Sequence, residues 1–141
     1  MLATQQIQSY RQNQVQHASP VELVVLLYDK AILLLKTAAA HLHDRRVREK
    51  CQALCQAVDI ITELQAVLDK DRGGEIAAKL NALYTYMLER LTRANQENDD
   101  RLILEVVRLL EELQQGWRGL AQSSPSADRG LPVGRSQPVT A

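Results

Sequence analysis

Hydrophobic positions along this chain recur at helical rather than strand spacing, in four long segments separated by polar junctions. The first opens on Ala18-Ser19-Pro20-Val21-Glu22. Ser19 can cap a helix, and Pro20 fits its first turn, where a missing N–H costs nothing. Glu22 stands three residues after the cap and can reach back to close a capping box. Leu23, Leu27, Tyr28, Ala31, Leu34, Leu35 and Ala38 then share one broad face, opposite Glu22, Asp29, Lys30 and Lys36, which predicts a helix over about 20–42. The charged cluster His43-Asp44-Arg45-Arg46 turns the chain. A second helix, over about 46–69, points Val47, Leu54, Val58, Ile61, Leu64 and Leu68 inward. Gly73-Gly74 suits a turn and disfavours a helix interior, so a third helix is predicted over about 75–97, with Ile76, Leu80, Leu83, Tyr84, Met87, Leu91 and Ala94 inside. Asn98 or Asp99 can cap a fourth, over about 100–120, whose inner face is Leu102, Val106, Leu109, Leu110, Leu113 and Trp117.

Four amphipathic helices with short connections pack best as an all-α, antiparallel up-down four-helix bundle. The bundle is predicted to occupy residues 19–121. Residues 1–18 are glutamine-rich with sparse apolar anchors, Leu2, Ile7, Tyr10 and Val15, and read as a weak helix or a mobile arm. Residues 122–141 are dominated by Ser, Pro, Gly and Arg; such a tail cannot bury enough apolar surface to order itself.

The core stripes leave several apolar residues over. Leu26 and Leu33, seven residues apart, project among the charges of the first helix. On the second, Ala53, Ile60 and Val67 form a heptad-spaced line beside Gln56, Asp59 and Glu63. Tyr86 projects with Lys79 and Arg93, and Leu104 stands amid Arg101, Arg108 and Glu111. One exposed leucine is ordinary, but recurrence on successive helices predicts an apolar binding surface. The plainer alternative is that the arm folds over these residues. The two are compatible, because an arm that shields a groove can also be displaced from it.

Composition narrows the function. Lysine plus arginine and aspartate plus glutamate are equal at 17 each, so no basic field invites nucleic acid. The apolar run at 21–35 is too short and too charged to insert in a membrane. The first residues lack the basic region and apolar core of a signal peptide, and two cysteines make no disulfide framework. A reducing cytoplasm is therefore the expected location. Catalysis finds no footing. The serines lie in the arm, at a cap or in the tail, without a base beside them, and Gly73-Gly74 lacks the lysine and spacing of a phosphate loop. His41, His43, Cys51 and Cys55 could be imagined around a zinc ion, but their spacing matches no closed site. No metal, cofactor or enzymatic activity is expected.

The segment Ala18-Ser19-Pro20-x-Glu22-Leu23-x-x-x-Leu27-Tyr28-Asp29, with Tyr10 ahead of it, resembles the start of the flagellar secretion chaperone FliS family. The likeness continues through Ala57-Val58-Asp59-Ile60-Ile61-x-Glu63-Leu64 and Leu68-Asp69. It resumes at Gly73-Gly74-Glu75-Ile76-Ala77, Leu80-x-x-Leu83-Tyr84-x-Tyr86-Met87 and Leu91-x-x-Ala94-Asn95, and ends near Glu112-Leu113 and Trp117. Lys30 departs from the glycine usual after Leu-Tyr-Asp. The resemblance implies a cytoplasmic four-helix chaperone. It would bind the disordered C-terminal segment of flagellin, prevent premature polymerisation and deliver the client to the type III export apparatus. It also implies that the N-terminal region covers part of the client groove, and that Ile7 and Tyr10 dock on the export-gate protein FlhA. Leu26, Leu33, Ala53, Ile60, Val67, Tyr86 and Leu104 are then the candidate client contacts. A homodimer of the client-free protein stays open. So does a purely structural bundle that self-associates through the same residues.

Overall fold

The computed structural model of the chain describes residues 19–123. Ile7, Tyr10, the rest of the predicted arm and the tail from residue 124 onward lie outside the described residues. Four helices follow in order: α1 Pro20–His43, α2 Val47–Ala66, α3 Lys70–Glu97 and α4 Asp100–Ser123. α1 packs on α2 and α4, and α3 packs on the same two, so the helices stand in a square with successive members antiparallel.

The boundaries follow local chemistry. The capping box forms at Ser19: its N–H donates to Glu22 Oε1 at 2.8 Å, and the Glu22 N–H donates to Ser19 Oγ at 3.1 Å. α2 ends at Ala66, short of the predicted boundary, because Asp69 starts the next helix as its N-cap, accepting from the Arg72 N–H at 3.1 Å. The glycine pair was expected to precede the third helix but lies inside it: α3 starts at Lys70, and Gly74 kinks it. Its φ of 55° is a left-handed value that a side chain would strain. Of the two candidate caps for α4, Asn98 ends α3 in the left-handed conformation, while Asp99 accepts from the Arg101 N–H at 3.0 Å.

The core is one continuous cluster from all four helices. On α2 it differs from expectation. Ala53 and Ile60, predicted to lie on an outer line, are buried with Leu54, Ala57, Ile61 and Leu64, and Ile60 is only 1 % exposed. A helix that packs between two neighbours buries a stripe wide enough to take both heptad lines, 53/60 and 54/61. In compensation, Val47 and Ile76, predicted to face inward, are exposed. Val47 opens α2 and Ile76 lies just past the Gly74 kink, where a wheel position has no neighbouring turn to enforce it. At the centre, the Tyr28 and Tyr84 hydroxyls lie 2.6 Å apart, and the Trp117 ring is 6.3 Å from that of Tyr28. Burial raises the Tyr28 phenol, opposed by hydrogen bonds from Tyr84 and Trp117. Burial also raises Tyr84. The trio stays neutral and ties α1 to α3 and α4.

Candidate binding surface

Among the expected contacts, Leu33, Val67, Tyr86 and Leu104 are exposed and Leu26 is half-buried. They do not form one patch. Leu26 and Leu33 lie on the outer side of α1. Leu104 is one heptad from Glu111, whose carboxylate meets Lys36 of α1 at 3.2 Å, so it belongs to the same α1–α4 flank. Tyr86 stands on the seam between α3 and α4. Val67 lies at the C-cap of α2, at the pole of the bundle where α1 begins.

Each position has a distinct setting. Leu33, 60 % exposed, stands between two cross-helix ion pairs. On one side Asp29 receives Arg118 Nη2 at 3.1 Å and Gln114 Nε2 at 2.7 Å; on the other is Lys36–Glu111. Tyr86 is held rigidly. Its hydroxyl donates to Glu105 Oε2, the Arg90 guanidinium lies 5.3 Å from the ring centroid, and Arg90 Nε donates to Glu105 Oε1 at 2.9 Å. Hydrogen bonds from Tyr86 and then Arg90 hold the Glu105 carboxyl below its usual range. The same contact with Glu105 raises the Tyr86 phenol. A fixed aromatic with an attached cation and anion can offer a flat apolar face to a partner without losing rotamer freedom on binding.

The seam between α2 and α3 carries polar residues that the apolar pattern could not signal. Lys50 is 1 % exposed, and its ammonium donates to Asn95 O at 3.1 Å and Asn95 Oδ1 at 2.7 Å. That carbonyl lies near the C-terminus of α3, where a cation is favoured by the helix dipole. Cys51 Sγ also reaches Asn95 Oδ1, at 3.4 Å. About four helical turns on, Gln65 Nε2 donates to Asn81 Oδ1 at 3.0 Å and Thr85 Oγ1 at 2.8 Å. Beside it lies an open depression of about 390 Å³ lined by Gln65, Thr85, Leu88, Thr92, Arg93 and Gln96, among others. Among the described residues no three His, Cys, Asp or Glu side chains group to hold a metal ion, and no helix is long and apolar enough to cross a membrane.

Comparison with known proteins places this surface in context. The family described as Flagellar protein FliS matches residues 3–124. The chain is 42% identical to the flagellar secretion chaperone FliS of Salmonella typhimurium, over 80% of this chain and 82% of the relative. It is 37% identical to the flagellar secretion chaperone FliSB of Pseudomonas aeruginosa, over 86% and 99%. The FliS of Bacillus subtilis matches at 33% identity, over 82% and 85%. A crystal structure of a bacterial flagellar chaperone superposes with a TM-score of 0.71 at 21% identity, covering 85% of this chain and 98% of the other, a likeness of fold. With a capped four-helix bundle, apolar residues on its outside and a family match spanning the whole bundle, this chain belongs to the FliS family of flagellar secretion chaperones, which is not an enzyme class.

Proposed function

We propose that this protein works in the cytoplasm as the export chaperone of a flagellin, holding the disordered C-terminal segment of its client until the type III export apparatus receives it. The reading draws its partner from family membership, and one structural observation carries it to this chain: Leu33, Val67, Tyr86 and Leu104 stand on the outside of a bundle whose core is already complete. Such residues suit a client that folds on contact, laying the apolar side of a forming helix on apolar positions of the bundle. Ordering that segment offsets roughly 2–5 kcal/mol or more of the contact energy. The complex is therefore weaker than its area suggests, as a chaperone that must release its client requires. Ala53 and Ile60 are buried in the core and leave a client no side-chain surface there.

Ile7 and Tyr10 are proposed as the contact with the export gate, FlhA, on the strength of the resemblance alone. Co-purification tests both parts. The tagged protein is expected to retain flagellin from a flagellated cell, and Tyr10→Ala is expected to keep flagellin while losing the gate protein. Loss of both together would assign Tyr10 to the fold or the client surface. Absence of flagellin from the natural-sequence complex would remove the proposed client.

A further inference from the structure

Cys51 and Cys55 stand one helical turn apart on α2, and client binding gives them no part. His41 and His43 do not join them, since among the described residues no three His, Cys, Asp or Glu side chains come together. What remains is a pair of free thiols, Cys51 half-buried and Cys55 exposed. Four residues apart on a helix, they lie side by side with Cβ atoms about 5–6 Å apart. That exceeds the ~3.5–4.5 Å Cβ separation of a disulfide, which would have to distort the helix. The spacing suits an ion held between the sulfurs instead: with metal–thiolate bonds of about 2.3 Å, a linear bridge spans about 4.6 Å from sulfur to sulfur.

The second feature is a charge. Cys51 Sγ donates to Asn95 Oδ1 at 3.4 Å, and the Lys50 ammonium donates to that same oxygen at 2.7 Å and to Asn95 O at 3.1 Å. Sulfur and ammonium therefore converge on one atom in the seam between α2 and α3. Lys50 is 1 % exposed, and both of its partners are neutral oxygens. A buried cation without a carboxylate in contact strengthens any negative charge placed beside it, because the seam screens less than water does.

We propose that Cys51 and Cys55 form a binding site for a soft monovalent cation, Cu(I), with Lys50 as its charge partner. The two thiols release their protons to solvent and both sulfurs bind as thiolates. Copper enters and stays as Cu(I), so no electron is transferred. The resulting dithiolate complex carries one net negative charge, which the Lys50 ammonium balances. Thiolates select soft ions such as Cu(I) over hard ones. A filled-shell monovalent ion accepts two ligands in line, whereas a structural zinc ion needs four and finds two here. Cys55 faces solvent and admits the ion, and Cys51 holds it at the seam. Cys51 gives up Asn95 on binding, but the two Lys50 bonds keep the seam closed.

Titration of the full chain with Cu(I), reduced and free of oxygen, against a coloured Cu(I) chelator decides it. One ion per chain is expected, with a thiolate-to-copper charge-transfer band in the near ultraviolet. Affinity should fall by roughly a hundredfold or more in Cys51→Ser and in Cys55→Ser. Both changes are small and lie outside the core, and circular dichroism checks that each variant stays helical. Lys50→Gln should weaken binding about tenfold, while Lys79→Gln, at an exposed lysine of α3, should leave it unchanged. Three results would overturn the proposal. They are one ion shared by two chains in sedimentation, a serine variant that binds as tightly as the natural protein, and a folded Lys50→Gln variant with undiminished affinity. Only protein and ion are present, so failure here would leave the client reading untouched.

Discussion

α1 and α3 stand at opposite corners of one square but are held by different chemistry. α1 buries eight apolar residues in 24 positions, Val21 through Ala38, and most of its attachment is non-directional. α3 is longer, at 28 residues, yet buries six. Its seams carry more of the polar latches, Lys50 on Asn95, Gln65 on Asn81 and Thr85, and Tyr86 with Arg90 on Glu105, beside those of α1, where Asp29 meets Gln114 and Arg118 and Lys36 meets Glu111. The difference teaches how one bundle can be both firm and adaptable. Apolar contacts lose their free energy only when surface is exposed to water, whereas the exposed latches, Gln65 on Thr85 and Tyr86 on Glu105, exchange for water bonds at small net cost; the buried Lys50 latch does not.

The largest effects should come from breaking the apolar side. Leu35→Ala, at a fully buried site of α1, should lower unfolding free energy by about 2–5 kcal/mol in a denaturant titration. Ile60→Ser should fall in the same range, with the added penalty of a buried hydroxyl. Melting like the natural protein would contradict its place in the core. The latches should matter less. Lys50→Ala removes two hydrogen bonds from the end of α3 and is expected to lower stability by about 1–3 kcal/mol. In hydrogen exchange, amides near Asn95 should then open faster while those of α1 are unchanged. Acceleration spread evenly over both helices would erase the proposed contrast. Tyr84→Phe, which deletes one hydroxyl from the core pair, should lower stability by about 0.5–1.5 kcal/mol.

The smallest effect is the most specific. The Glu105 carboxyl is held below its ordinary range by Tyr86 and Arg90. A group depressed in the folded state contributes stability above its unfolded value and loses it as pH falls through the folded one. The gap in melting temperature between the natural protein and Glu105→Gln should therefore be constant near neutrality and close in acid, below about pH 4. It should be small throughout, because Tyr86 is exposed and the half-buried Arg90–Glu105 pair is still screened by solvent. A gap that widens in acid would have the wrong sign.

How far the sequence carried this structure depends on how many neighbours each residue has. The Ser19 capping box and the kink at Gly74 are local and were legible in a few adjacent letters. The stripes of α1, α3 and α4 were legible in outline, though Ile103 and Val107, buried in α4, escaped a stripe drawn too narrow. On α2 the lines 53/60/67 and 54/61/68 lie one residue apart. Choosing the second as the core face put the first outside, when two flanking helices bury both. Val67 alone stays exposed, because α2 ends at Ala66. Lys50 and Gln114 were illegible for another reason. Nothing in a lysine or glutamine tells that a carbonyl waits in a distant helix, as Asn95 does for Lys50 and Val25 does for Gln114, at 3.2 Å.

The central claim is that the core is complete without the outer apolar residues and that these await a flagellin segment. Calorimetric titration with a peptide of the flagellin C-terminal region tests it most directly, on the natural protein and on Val67→Ser/Leu104→Ser. The natural protein should bind with measurable heat and a shift in chromatography. The double variant should bind at least tenfold more weakly, while its unfolding free energy moves by no more than about 0.5 kcal/mol per site. No heat and no shift with the natural protein, or a double variant that binds equally well, would contradict the account.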